Sequence, residues 1–154
     1  MSTTIDLGGR WEIVSWEQQY DDGRRELPMG EHLEGFIQYG ADGTMACMIA
    51  RAERSNFASG GQWNAPDAEK ARAYDSMLSY AGRYRIADDV VTHSVELSLY
   101  PNWKGGEQPR RFALQADGTL ALTARLEHGT PQARTSRLVW QRPHATGKTQ
   151  GLAA

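Results

Sequence analysis

His93 lies inside an alternating run, Val90-Val-Thr-His-Ser-Val-Glu-Leu-Ser-Leu-Tyr100, that ends at Pro101. On a strand it shares one face with Val95, Leu97 and Leu99, while Thr92, Ser94, Glu96 and Ser98 point the other way. With the apolar row turned inward, the imidazole stands in a pocket, where it both accepts and donates a proton near neutral pH. A histidine hydrogen-bonded for structure at a barrel rim fits the same position. With the polar row inward instead, Glu96 lines a wet cavity. Only a bulge would let His93 and Glu96 both face in.

Other residues could orient or bind a ligand. Arg51 follows the apolar row Met45, Cys47 and Ile49, and its paired N–H donors suit a carboxylate or enolate oxygen. An exposed strand-end arginine is the plainer reading. Tyr39, Tyr74, Tyr80 and Tyr84 each offer an aromatic wall with a polar tip, suited to a flat ligand or to core packing. Trp103, in the corner after the long strand, walls the mouth or fixes the turn. Met45, Val95 and Leu97 complete the expected apolar lining. Arg110 and Arg111 sit on opposite faces of one strand, so at most one looks inward.

These side chains need strands to hold them, and strand-like runs dominate. Trp11–Trp16, Gly35–Tyr39, Thr44–Ala50, Gly82–Ile86, Val90–Tyr100, Arg110–Leu114, Leu120–Leu126 and Thr135–Gln141 are rich in β-branched and aromatic residues. Ala41-Asp42-Gly43 and Ala116-Asp117-Gly118 mark hairpins. One helix is expected from about Pro66 to Leu78. Asn64 is a cap candidate, and Ala71, Tyr74, Met77 and Leu78 recur at helical spacing to pack on the barrel or across its mouth. About eight antiparallel strands can close around one small ligand. The expected fold is therefore mainly β: one closed barrel domain over residues 1–142 with one helix, and a frayed tail over 143–154.

Composition excludes several function classes. The chain has 154 residues, 40 % apolar and 23 % charged, with a net charge of −2. That balance fits an ordinary globular domain and lacks the basic face that nucleic acid or an anionic membrane requires. Cys47 is the single cysteine, so no intrachain disulfide forms. The first residues lack a signal-peptide pattern, and no run reaches the length of a membrane helix; a cytoplasmic, bacterial-type protein is expected. His32, His93, His128 and His144 show no close ligand spacing, no Gly-rich phosphate loop opens the helix and no Gly-x-Ser-x-Gly occurs. No metal and no cofactor are expected.

Gly9-Arg-Trp-Glu-Ile-Val-Ser-Trp-Glu17, Tyr80-Ala-Gly-Arg-Tyr84 and His93-Ser-Val-Glu-Leu-Ser-Leu-Tyr-Pro-Asn-Trp103, extended by Gly105, Gln108 and Arg110-Arg111, resemble the bacterial lipocalin-like domain family over residues 7 to 142. The resemblance implies a small calycin-type barrel closed by Gly9 and Trp11 on the first strand, with Arg137 of the last strand over the indole. It transfers a fold and hardly a reaction. Three readings remain open. The first is a pocket binding a small apolar or aromatic molecule. The second is a cofactor-independent isomerase, cyclase, dehydratase or lyase of secondary metabolism or aromatic catabolism, using His93. The third is a ligand-free homodimer whose tryptophans are core; monomer and homodimer both fit the sequence.

Overall fold

A computed structural model describes residues 6–143. The alternating runs become nine strands: β1 (Gly9–Tyr20), β2 (Arg25–Glu26), β3 (Leu33–Tyr39), β4 (Thr44–Arg51), β5 (Met77–Ala87), β6 (Val90–Ser98), β7 (Glu107–Leu114), β8 (Leu120–Leu126) and β9 (Arg134–Gln141). Helix α1 (Asp67–Asp75) lies between β4 and β5, and a single 3-10 turn, Pro101–Trp103, follows β6. Every pairing is antiparallel, β3 to β9 run in chain order, and β1 pairs with both β3 and β9. Eight strands thus close a barrel with no free edge. The ninth, β2, is a two-residue addition to the far end of β1.

The two Asp-Gly turns use one device. In each, the aspartate Oδ1 accepts from the backbone N–H and the hydroxyl of the threonine two residues on: Asp42 with Thr44 at 3.0 and 2.6 Å, Asp117 with Thr119 at 3.0 and 2.6 Å. Gly43 and Gly118 both take φ +87°, which glycine alone adopts freely.

The interior has two unlike halves. At one end Leu7, Trp11, Ile13, Tyr39, Met45, Val91, Phe112, Leu120 and Trp140 pack into a continuous buried core. Trp11 donates its Nε1–H to the Leu7 carbonyl at 2.9 Å, and the Arg142 guanidinium lies over its ring at 3.8 Å from the centroid. Arg142 also donates to the carbonyls of Gly8 (2.6 Å) and Asp6 (3.2 Å). Gly9, at φ +95°, stays bare beneath it; a Cβ there would meet Arg142 Nη1 at 3.1 Å.

The closing arginine is therefore Arg142 and not Arg137. Antiparallel register sets the start of β1 against the end of β9, Glu12 opposite Gln141, so the partner of Trp11 must follow Gln141. Arg137 pairs across from Glu17, further along β1, and is exposed.

Three other expectations change. The helix ends at Asp75, starts after Pro66 with no side-chain cap, and buries no residue. Met77 and Leu78 belong to β5, paired with Ala50 and Ile49; a cross-strand partner on β4 outweighs one more helical turn. Tyr74 is left 44 % exposed. Asn64 does not cap α1: its Oδ1 accepts the Gly61 N–H instead. Leu97 is 70 % exposed because the register slips between Ala81 and Gly82: Ala81 faces Leu97, Gly82 faces Val95, and Glu96 has no opposite residue. The bulge turns Leu97 outward and leaves Glu96 outside as well, beside Arg83 at 3.6 Å. Gly82 permits it, since a Cβ there would stand 1.9 Å from the Ser94 carbonyl oxygen. A similar slip between Ile13 and Ser15 of β1 changes the parity of the inward face, from Trp11 and Ile13 before it to Trp16, Gln18 and Tyr20 after it, with Val14 on the surface. The expected tail falls outside the described residues from 144 onward.

Candidate functional site

At the end away from Trp11 the strands diverge around a cavity of about 670 Å³. Trp16, Ile37, Ile49, Leu78, Leu122 and Leu138 form much of its apolar wall, and Trp103 stands at its rim beside Tyr80. Inward positions of β1, β7 and β9 add Gln18, Gln108, Arg110, Arg134 and Ser136. A volume within the range of small-molecule sites, mostly apolar with a few polar groups, has the make-up of a ligand pocket.

His93 forms part of the floor and is 1 % exposed. Both ring nitrogens are engaged: Nε2 with the Tyr39 hydroxyl at 2.7 Å, Nδ1 with the Tyr80 hydroxyl at 2.8 Å. Proton accounting sets the direction. Tyr39 has no other acceptor among the described residues, so its O–H is assigned as donor to Nε2, which makes Nδ1–H the donor to Tyr80. The Tyr80 hydroxyl then has Cys47 beside it, directly across the β4–β5 pairing. The chain Tyr39, His93, Tyr80, Cys47 is satisfied within itself.

Burial dominates the electrostatics here. It lowers the His93 pKa to about 3, with the Arg110 charge adding to the effect. It raises the Cys47 thiol to about 12 and both buried phenols well above their usual value. Burial thus works against an imidazole titrating near neutrality, and both His93 nitrogens are engaged by tyrosine hydroxyls.

The remaining expected residues divide by position. Tyr80 and Trp103 line the cavity, while Tyr39 lies below its floor. Tyr84 packs edge-on to Tyr39 (4.8 Å, 64°) and donates to the Gly40 carbonyl at 2.8 Å. Met45 and Val95 belong to the buried core and not to the wall. Tyr74 edges a smaller outer depression with Met29, Leu99 and Trp103. Arg51 is excluded from the barrel by its position at the end of β4. It donates to the Pro28 carbonyl and borders a surface groove beside α1.

Sequence reasoning missed Trp16, Gln18, Gln108, Ser136 and Leu138, and left open which of Arg110 and Arg111 turned in. Arg110 does: it pairs with buried Val91, as Gln108 pairs with His93. Arg111 points out and pairs with Asp89 at 2.7 Å. Alternation anchored on buried Phe112 carried that signal, since 108, 110 and 112 share a face.

An antiparallel eight-stranded barrel, plugged at one end by a tryptophan under an arginine and hollow at the other, is the architecture of the lipocalin class. The model of the lipocalin-like domain matches residues 8–143, and the chain belongs to that family. Among solved structures it is similar to a lipocalin-like protein from Bacteroides uniformis, at 14 % identity and a TM-score of 0.46, covering 89 % of this chain and 98 % of that one. It is likewise similar to an uncharacterized protein from Bacteroides eggerthii, at 16 % identity and a TM-score of 0.47, covering 90 % and 100 %. No curated protein matches the sequence. No helix among the described residues is long and apolar enough to cross a membrane.

Proposed function

We propose that the barrel binds one small, predominantly apolar molecule in the cavity above His93. The observation that carries this reading is the cavity itself: about 670 Å³ of space inside a barrel whose other half is packed solid. A domain selected only for stability gains from filling such a space. The His93 network rigidifies the floor and presents aromatic and apolar surface upward. The second reading, proton-transfer catalysis at His93, lacks a specific observation in its favour, because both nitrogens are committed to tyrosines.

The test uses the intrinsic fluorescence of Trp16 and Trp103, which both line the cavity. Methyl decanoate should change the emission saturably at one site per barrel. Ala124→Phe, which fills the wall from β8, should abolish that response while leaving the fold intact by circular dichroism. An unchanged titration in the filled variant would place binding elsewhere and sink the proposal.

A further inference from the structure

Three uncharged polar groups of the cavity wall, Gln18, Gln108 and Ser136, share one property: the side-chain oxygen of each accepts a hydrogen bond and its donor is spare. Gln108 Oε1 accepts from Arg110 Nη2 at 3.3 Å, and Gln18 Oε1 accepts from Arg134 Nε at 2.8 Å. A guanidinium only donates, so both amide orientations are fixed by chemistry and both amide N–H₂ groups are left to donate. Ser136 Oγ accepts from Trp16 Nε1 at 3.0 Å, which leaves its own hydrogen for a further acceptor.

The arginines of the wall differ in how they are neutralised. Arg125 is held by both oxygens of Asp21, at 2.9 and 2.8 Å, and Arg134 is ion-paired with Glu127. Glu107, the carboxylate among the lining residues, is engaged by Arg85 at 2.7 and 3.2 Å. Arg110 has no carboxylate partner among the described residues. It makes two hydrogen bonds, to its neighbour's carbonyl on Pro109 and to Gln108, so most of its five N–H donors are unused. A half-buried guanidinium without a counter-charge, set in a largely apolar wall, keeps donors that a carboxylate can take up.

Resting on the binding reading above, we infer that the natural ligand is an amphipathic carboxylate, its head group held by Arg110 and Gln108 and its apolar body lying against Trp16, Leu122 and Leu138. The planar fork of Arg110 matches the two oxygens of a carboxylate. The spare donors of Gln18 and Ser136 add places for further acceptor atoms along the ligand. The carboxylate among the described lining residues, Glu107, is already held by Arg85, so a cation gains less on this wall than an anion does.

The test titrates the full chain with decanoate, methyl decanoate and decylammonium, read by tryptophan fluorescence. Decanoate should bind more tightly than the ester, and decylammonium should bind weakest. Arg110→Gln should weaken decanoate by about tenfold to a hundredfold, the scale of a charge-assisted hydrogen-bonded pair, and leave the ester within about twofold, a change too small to signal a lost contact. Gln108→Glu, which supplies Arg110 with an internal counter-charge, should produce the same selective loss and covers the case in which Arg110→Gln does not fold. Arg111→Gln, on the outer face, should change neither affinity. Equal affinity for carboxylate and ester, or a decanoate affinity indifferent to both inner variants, overturns this inference alone. Failure of all three molecules to bind the parent chain overturns the binding reading and this inference with it.

Discussion

The two ends of the barrel are built from the same strands and do opposite things. At the Trp11 end, side chains fill the interior and Arg142 seals the indole. At the other, the walls carry Gln18, Gln108, Arg110 and Ser136 around open space. Each long strand contributes to both ends: β1 gives Trp11 and Ile13 to the plug but Trp16 and Gln18 to the cavity. Packed core and open cavity are thus separated along the long strands. That makes the contrast measurable by substitution at either end.

The largest effect belongs to the plug. Trp11→Ala should lower unfolding free energy by about 3–5 kcal/mol, as for other large buried aromatics, read from urea melts. A cost under about 1 kcal/mol, which is the range of exposed sites, would mean that end is not the stabilising one.

A matched pair on β8 sharpens the comparison. Leu120, fully buried in the plug, and Leu126, half-buried at the cavity, lie on the same face of one strand. Leu120→Ala should cost about 2–5 kcal/mol. Leu126→Ala should cost about 1 kcal/mol or less, because its methyl groups already border open space. Similar losses at the two sites would erase the distinction between the halves.

His93 sits at the boundary and gives the contrast a pH signature. Its folded pKa, lowered to about 3, lies below the unfolded value of 6.5, so the unfolded chain binds the proton more readily. Stability from this site is complete above pH 6.5 and declines as pH falls towards 3. Between pH 6.5 and 5 the loss should be about 1.5–2 kcal/mol. The carboxylates whose pKa values are lowered, Asp21, Asp42 and Asp117 among them, contribute their losses below that window. In His93→Gln the decline between pH 6.5 and 5 should shrink by that amount; a variant with the parental slope would show that His93 does not set it.

The smallest effect separates the two arginines. Arg142→Ala should cost about 1–2 kcal/mol through the lost ring contact, and exposed Arg137→Ala less than about 0.5 kcal/mol. Thermal denaturation of the two variants side by side decides which guanidinium closes the barrel.

The plug was more legible in the sequence than the cavity, for physical reasons. Alternation and Asp-Gly turns are local signals, and they located the eight barrel strands. The bulges are not local: Gly82 looks like any strand glycine until the Ser94 carbonyl is set 1.9 Å from where its Cβ would be. Without that slip, strict alternation carries Leu97 inward. The helix was over-extended because Met77 and Leu78 suit a helical stripe and a strand equally, and β4 decides between them. Arg137 was preferred over Arg142 because identity with a strand was visible and register was not. The isolation of Arg110 could not be read at all, since it depends on Asp21, Glu127 and Arg85 neutralising the other charges around it.

The seam between β1 and β9 also carries a kinetic consequence. It joins Glu12 to Gln141 and Tyr20 to Arg134, so the barrel closes only when the two ends of the domain meet. Closing so long a loop is entropically costly and characteristic of slow β-folding. A nascent chain that has not yet released β9 from the ribosome must hold β1 and β8 as open edges, able to pair with any neighbouring strand. The interval between synthesis of β8 and docking of β9 is therefore when this chain is most exposed to aggregation.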